Sequence, residues 1–401
     1  MKIGVLREGK VPIDRRVPLT PEQCIEIFGH YPKIKIIVQP SGKRVIMDEE
    51  YEEKGILLDD DVSDCDILLG IKEVPVDELI PEKTYMFFSH TTKKQEHNKK
   101  LLKAILDKKI RLIDYEYLRG PQGKRLIGFG HWAGLIGTYN GFRALCIRNK
   151  MPEPKPVHNC EKLKNVLKQA TKINLPPVKI AVTGNGRVAH GAIELLEHMK
   201  IKKVSVKEYL ETERFNVPVY VHIDVDEYNV HKEGKAFDFS DFFANPANYK
   251  GNFARFAKQT DMLVMAAYWD PKAPVLMTKE EMKAEDFRIK VIADITCDIN
   301  GAIPSTLRSS IIQDPFYGYN PFTEKEELAF VSPKNISIMA VDNLPCELPY
   351  DASVDFGNNL INHVLPYLIK GDSEGVIANA TIAENGKLTE GFKYLEDWVN
   401  S

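Results

Sequence analysis

The sequence lacks any apolar run approaching the roughly 20 residues that a helix needs to cross a bilayer, and no membrane association is expected. It lacks clustered cysteines: Cys24, Cys65, Cys146, Cys160, Cys297 and Cys346 are scattered, with no CxxC and no Cys/His spacing of the zinc kind. A disulfide scaffold and a structural zinc are therefore not expected, and a reducing compartment is. The ten histidines include no HExxH, so no metal site is expected either. Neither sign of charge dominates, with 54 Lys+Arg against 57 Asp+Glu and a net charge of -3. Nucleic-acid binding needs a basic face that releases counterions from phosphates, and this balance argues against one. The opening stretch MKIGVLREGK has a charge every few residues, where a signal peptide would have roughly 7 to 15 apolar ones. A cytoplasmic location is expected. Solenoid repeats, heptads and low-complexity tracts are also missing.

What is present is length and alternation. A chain of 401 residues exceeds the usual domain of about 100 to 200 residues, so two domains are expected. Short apolar runs, KIGVL, KIKIIVQ, DILLGIK, TYMFFSH and IRLIDYEYL, alternate with amphipathic stretches before residue 120. A second series, VKIAVTG, KVSVKEY, VYVHIDV, DMLVMAAY and KVIADIT, follows the proline-bearing stretch MPEPKPVHNCEKLK. Such alternation predicts α/β architecture with doubly wound, mostly parallel sheets. Segment 210–258, rich in aromatic and charged residues, has no readable element order and is taken as an insertion in the second domain.

Val178 to Gly184 reads as a buried strand running into Gly184, Asn185, Gly186, Arg187, Val188 and Ala189, and then a helix. Strand, glycine turn and helix in that order form a dinucleotide cradle. Gly184 permits the turn, Gly186 lets the backbone approach a pyrophosphate, and Ala189 allows close helix packing. The helix N-terminus offers free N–H groups to the phosphates. A plain glycine turn ending a strand is the alternative. The acidic residue expected about 20 positions on is Glu208, 24 residues after Gly184. A carboxylate there accepts from both ribose hydroxyls and favours NAD(H); the adjacent Lys207, with Lys202 and Lys203, leaves NADP(H) open.

In the first half, polar clusters follow three strands: Lys72 and Glu73 after DILLGI, His90 and Lys93 after TYMFFS, and Glu116 after RLIDY. Groups at the carboxyl ends of strands in an open sheet point into the ligand crevice. A lysine ammonium polarises a carbonyl or imine, and a histidine moves protons near neutral pH. Singly, Lys72 reads equally as a surface charge and His90 as a satisfied histidine; their joint placement favours chemistry. Arg16 and Arg125 have the fork geometry for carboxylates, with ordinary surface arginine as an equal alternative. Thr20, Pro21 and Gln23 spell a helix start with a capping box.

These residues sit in RRVPLTPEQ, CDILLGIKEVP, TYMFFSHTTKKQEHN, IRLIDYEYL, GFGHWAG, VTGNGRVAHGA, AAYWDPKAPVLMT, IADITCDINGAI and AVDNLPCELPYDAS. In that order they resemble the alanine dehydrogenase and saccharopine dehydrogenase superfamily, and most of all its lysine-2-oxoglutarate reductase domain. The resemblance implies two Rossmann-like domains with an interdomain cleft: a substrate domain of 1–143 plus 340–401, and a dinucleotide domain of 144–339. It implies an acid/base pair in Lys72 and His90, tuned by Glu73 and Glu116. It implies substrate carboxylates on Arg16 and Arg125, a further charged pair in Lys93 and Asp342, and Asp294 among the cofactor residues. Asp342 before Asn343-Leu344-Pro345 favours the saccharopine side over the alanine dehydrogenase side.

The expected activity is an NAD(P)-dependent oxidoreductase acting on a C–N bond, in which an amino acid condenses with a 2-oxo acid and the imine is reduced. Its partners are small molecules, with a homo-oligomer compatible. An alanine dehydrogenase using ammonia is the first rival. A non-catalytic nucleotide sensor is the second, and retained Lys72 and His90 argue against it.

Overall fold

Runs of β-branched and aliphatic residues form strands in the order the alternation predicts. The computed structural model describes residues 1–401. The chain begins with β1 (Lys2–Val5), β2 (Lys35–Val38), β3 (Leu57–Leu58), β4 (Ile67–Leu69), β5 (Thr84–Phe87) and β6 (Arg111–Asp114). The next series is β7 (Lys179–Thr183), β8 (Lys202–Lys203), β9 (Val219–Ile223), the hairpin strands β10 (Asn229–His231) and β11 (Tyr249–Gly251), and β12 (Met262–Met265). It continues through β13 (Val291–Asp294), β14 (Phe316–Asn320), β15 (Lys325–Glu327) and β16 (Ile336–Met339), and the chain ends with β17 (Thr381–Glu384) and β18 (Lys387–Leu388).

Two compact units result, Met1–Phe129 with Pro349–Ser401, and Gly130–Leu348. The resemblance places the seams at 143/144 and 339/340 instead. The differences are helix Gly130–Arg148, which is buried nearly all round within the second unit, and residues 340–348, which also belong to that unit.

The first unit holds an eight-stranded sheet ordered β18-β17-β6-β5-β4-β1-β2-β3, parallel from β6 to β3. The C-terminal hairpin adds antiparallel to β6. Thr20 caps helix Pro21–His30 in a reciprocal capping box with Gln23, as its sequence predicts. The same Gln23 donates to Val354 O at 2.7 Å and Asn358 Oδ1 at 2.8 Å, tying helix Pro349–His363 to this unit.

The second unit holds a sheet ordered β15-β14-β16-β13-β12-β7-β9-β8, in which only β14 runs antiparallel to its neighbours. Its central strands are apolar throughout because helices cover both faces. KVSVKEY, expected as one strand, is paired only over Lys202–Lys203, because Ser205 accepts from Glu208 N and starts helix Val206–Glu211. Segment 210–258 contributes β9, the β10–β11 hairpin and several short helices. Buried Lys179 holds its start, donating to Tyr209 O, Thr212 O and Gln259 Oε1 at 2.6 to 2.9 Å. No helix in either unit is long and apolar enough to cross a membrane.

Helix Gly130–Arg148 crosses helix Arg187–His198 at backbone distance. A Cβ on Gly134 would lie 1.8 Å from Val188 O, and one on Gly191 would lie 2.0 Å from His131 O. Close packing of the helix after the glycine turn thus depends on these two glycines, while Ala189 is merely buried. Gly134→Val or Gly191→Val should lower unfolding stability by at least about 3 kcal/mol, since backbone cannot yield to the added atoms. Gly29→Ala, on an exposed helix face with nothing within 4 Å, should raise stability by about 0.5 to 1 kcal/mol. Urea titrations of the three variants check both signs.

Candidate active site and dinucleotide cradle

Each sheet has a switch point. In the first unit β2 lies on one side of β1 while β4, β5 and β6 lie on the other, so the segments after β1 and β4 diverge and leave a crevice. Lys72 and Glu73 follow β4, His90 follows neighbouring β5, and Glu8 and Lys10 follow β1.

Glu8 braces the first of these segments, its carboxylate accepting from Ile71 N at 2.6 Å and Lys72 N at 2.9 Å. Burial, with Asp14 nearby, nevertheless pushes the Glu8 carboxyl up to about 8. Lys72 is half-buried; burial first, then the charges of Arg16 and Lys10, bring its ammonium down to about 8. Glu73 Oε1 meets His90 Nδ1 at 2.5 Å, and Glu73 Oε2 accepts from Lys10 Nζ at 3.1 Å. Burial would raise the Glu73 carboxyl, but the hydrogen bond and charge of His90 and the charge of Lys10 prevail and hold it at about 2. A carboxylate on Nδ1 keeps the proton there and leaves Nε2 as the basic nitrogen of neutral imidazole.

His90 has φ 52°, ψ 13°, a left-handed conformation that a residue with a Cβ rarely adopts. Two contacts hold it there. Buried Asp114 accepts from Ser89 N at 3.0 Å and from Ser89 Oγ at 2.5 Å, and Asn98 Nδ2 donates to His90 O at 3.3 Å. Strain of this kind costs about 1 to 3 kcal/mol and concentrates at functional sites.

Of the expected residues, Lys72, Glu73 and His90 thus come together. The other expected residues have different neighbours. Glu116 pairs with Arg125 at 3.0 Å instead of joining the Glu73–His90 pair. Arg16 is 1% exposed, grips Asp14 through Nε and Nη2, and lies 4.0 Å over the Phe129 ring. Its fork is turned on an internal carboxylate, so it shapes the charge around Lys72. Lys93 is exposed on a one-turn helix in the first unit, and Asp342 is exposed in a turn of the second.

In the second unit the switch point lies between β7 and β12. Gly184, φ +88°, passes so close to the segment after β12 that a Cβ would lie 2.6 Å from Ala267 Cα. At Gly186 a Cβ would meet nothing within 4 Å. Asn185 and Gly186 are exposed, and Arg187 and Val188 open the helix whose N-terminus faces this turn. A cavity of about 530 Å³ adjoins it, lined by Gly184, Gly186, Val188 and Asp224 and by aromatic side chains. A pyrophosphate requires this open backbone with free N–H groups, and the residues present fit it.

Glu208 and Asp294 are not among the residues that line this cavity. Glu208 is at the third position of helix Val206–Glu211, its side chain 41% exposed and paired with Lys202. The strand beside β7 is β9, and the carboxylate at its end is Asp224, which accepts from Asn185 Nδ2 at 3.0 Å and lines the cavity. Asp294 is 1% exposed; it accepts from Thr296 N, Thr296 Oγ1 and Thr306 Oγ1 and braces the loop after β13. Glu8, Lys10, Asp14 and Asp224 are not singled out by the sequence patterns. The signal for Glu8 is its place just beyond KIGVL, at the end of a strand like the other three.

Known proteins resemble this chain along most of its length. The alanine dehydrogenase/PNT N-terminal domain matches residues 4–136, and the C-terminal domain of that family matches residues 162–391. Alpha-aminoadipic semialdehyde synthase of Arabidopsis thaliana is 31% identical across 98% of this chain and 41% of its own length. This chain therefore spans less than half of that relative. Saccharopine dehydrogenase [NAD(+), L-lysine-forming] of Emericella nidulans is 24% identical, covering 90% of each chain. A solved L-alanine dehydrogenase superposes with a TM-score of 0.64 at 15% identity over both full chains, which establishes a common fold.

The lowered Lys72 ammonium has a consequence for stability. The ordinary value is 10.5 and the folded value about 8, so below about pH 8 the folded protein carries the full penalty of a crowded, partly desolvated charge. The penalty fades as pH rises toward 10.5. Lys72→Met should therefore melt above the parent at pH 7, with the difference shrinking between pH 8 and 10.5, as thermal scans across that range will show.

Proposed function

The chain belongs to the alanine dehydrogenase/PNT family, and from that premise we propose that it is a nicotinamide-dependent oxidoreductase that reductively joins an amino acid to a 2-oxo acid, in the manner of a saccharopine-forming reductase. The observation that carries the reading is the Glu73–His90 pair beside a lysine whose ammonium is lowered to about 8, at the switch point of the first sheet. The names of relatives that match nearly the whole chain, a saccharopine dehydrogenase and an alpha-aminoadipic semialdehyde synthase, support an amino acid over ammonia as the amine.

When bound, the dinucleotide supplies the hydride that reduces the C=N bond. The protein's own work is proton transfer and charge placement. His90, held through Nδ1 by Glu73, carries the two protons shed by the attacking amine, one at a time through Nε2, to the carbonyl oxygen, which then leaves as water. The Lys72 ammonium polarises the carbonyl, and the Glu8 hydrogen bonds keep its backbone fixed. Arg125, 35% exposed where Arg16 is closed on Asp14, is the arginine available to a substrate carboxylate by exchange with Glu116.

Two outcomes are expected. In a screen of NADH and NADPH oxidation with 2-oxoglutarate or pyruvate against lysine, ornithine and ammonia, turnover should require an amino acid and a 2-oxo acid together; turnover with ammonia alone would return the protein to the alanine dehydrogenase type. His90→Gln should lower kcat by at least about 10-fold, general acid–base assistance being typically worth about 10²- to 10⁴-fold, with cofactor affinity unchanged. NADH should also outperform NADPH, since Asp224 repels a 2'-phosphate and no lysine or arginine lines the cavity. Asp224→Asn should shift the kcat/KM ratio toward NADPH by about 10-fold or more.

A further inference from the structure

His90 has a counterpart at the glycine turn of the second unit. His222 belongs to β9, which pairs in parallel with β7 so that His222 lies opposite Val182 and Ile223 opposite Thr183, the last residue before the turn. Alternation along the strand turns His222 to the face opposite Ile223. Ile223 is wholly buried, whereas His222 is half-buried.

Three consecutive residues at this strand end hold the turn. Gly184 N donates to Ile223 O at 3.0 Å, Asn185 Nδ2 donates to Asp224 Oδ2 at 3.0 Å, and His222 Nε2 meets Gly184 O at 2.6 Å. A carbonyl oxygen only accepts, so Nε2 carries the proton in this contact. The first two bonds alone leave one freedom. Gly184 has φ +88°, where glycine has wide latitude, and the peptide between Gly184 and Asn185 can turn over as a plate while Gly184 N and the Asn185 side chain stay bound. Turning it over exchanges the directions of Gly184 O and Asn185 N–H, which point oppositely in a trans peptide. To a phosphate these orientations are opposite in sign, because an N–H attracts it and a carbonyl oxygen repels it. The cavity is lined by Gly184, Asn185 and Gly186 but not by His222. The bond to the ring therefore draws the oxygen away from the cavity and leaves the opposite N–H on the cavity side.

We infer that His222 is a positioning residue for the dinucleotide: its Nε2–H, bonded to Gly184 O outside the cavity, fixes the Gly184–Asn185 peptide in the orientation that accepts a pyrophosphate. The inference rests on the dinucleotide reading of the glycine turn. The ring acts only through that turn and touches no phosphate itself. A side chain with a donor at the same reach can replace it. Glutamine is that side chain, since its amide nitrogen lies as many bonds from the backbone as Nε2 of histidine. An apolar side chain cannot.

Calorimetric titration of the full chain with ADP-ribose, which carries the pyrophosphate without the redox ring, reads the effect without turnover. A hydrogen bond biases two arrangements by no more than its own net contribution, so His222→Met should weaken ADP-ribose binding by about 2- to 10-fold. His222→Val, which suits a strand position, should lose a similar factor, and His222→Gln should bind like the parent. Proton–nitrogen correlation spectra of the histidine-labelled parent should show His222 carrying a proton at Nε2. Parent-like affinity in the Met and Val variants, an equal loss in all three variants, or a His222 ring protonated only at Nδ1 would overturn the positioning role and leave the dinucleotide reading standing. A parent protein that binds neither ADP-ribose nor NADH would overturn both.

Discussion

Parallel strands whose connections leave in opposite directions must open a gap between neighbours, and both units of this protein depend on that gap. Between β1 and β4 it receives Glu8, Lys72, Glu73 and the histidine after β5; between β7 and β12 it receives the glycine turn and the loop at Ala267. The two gaps are filled differently. The first is packed with charge and the second is left open, which under the proposed function would leave proton transfer to one unit and cofactor binding to the other.

Crowding in the first gap runs against stability. Lys72, Lys10 and Arg16 repel one another, and Glu8, Asp14 and Glu73 balance them without removing the burial cost that lowers the lysine and raises Glu8. His90 adds a left-handed backbone held by Asp114 and Asn98. Groups poised to give and take protons near neutral pH arise from such unfavourable surroundings. The asymmetry between Glu73 and Glu8 shows the physics at work: both are carboxyls near cations, but Glu73 meets His90 and Lys10 directly and is held at about 2, while Glu8 meets only backbone N–H groups and rises to about 8.

Features carried by contiguous residues were legible in the sequence. The glycine turn, the Thr20 capping box and the strands bearing Lys72 and His90 each announce themselves within a dozen positions. Features that depend on sheet order were not. Counting from Gly184 to an acidic residue assumes that the next strand in sequence lies next in space; here β8 is a two-residue edge strand and β9 takes the inner place, so Asp224 stands where Glu208 was expected. Partners at long range were equally hidden. Nothing in the sequence tells that Thr306 will close on Asp294 or that Glu8 will reach Lys72, 64 positions away. Arg16 is ambiguous for a different reason: its partner Asp14 is in plain view two residues earlier, but a guanidinium fork reads identically whether it faces a substrate or its neighbour.

The central claim is that hydride reaches a carbon that is becoming bonded to nitrogen. Incubating the full chain with NADH deuterated at C4 of the nicotinamide, a 2-oxo acid and an amino acid, and then analysing the product by mass spectrometry and NMR, addresses it directly. The account predicts a secondary amine carrying one deuterium on the carbon derived from the oxo group. Cofactor oxidation that places deuterium on a hydroxyl-bearing carbon, or yields no C–N product, would contradict it.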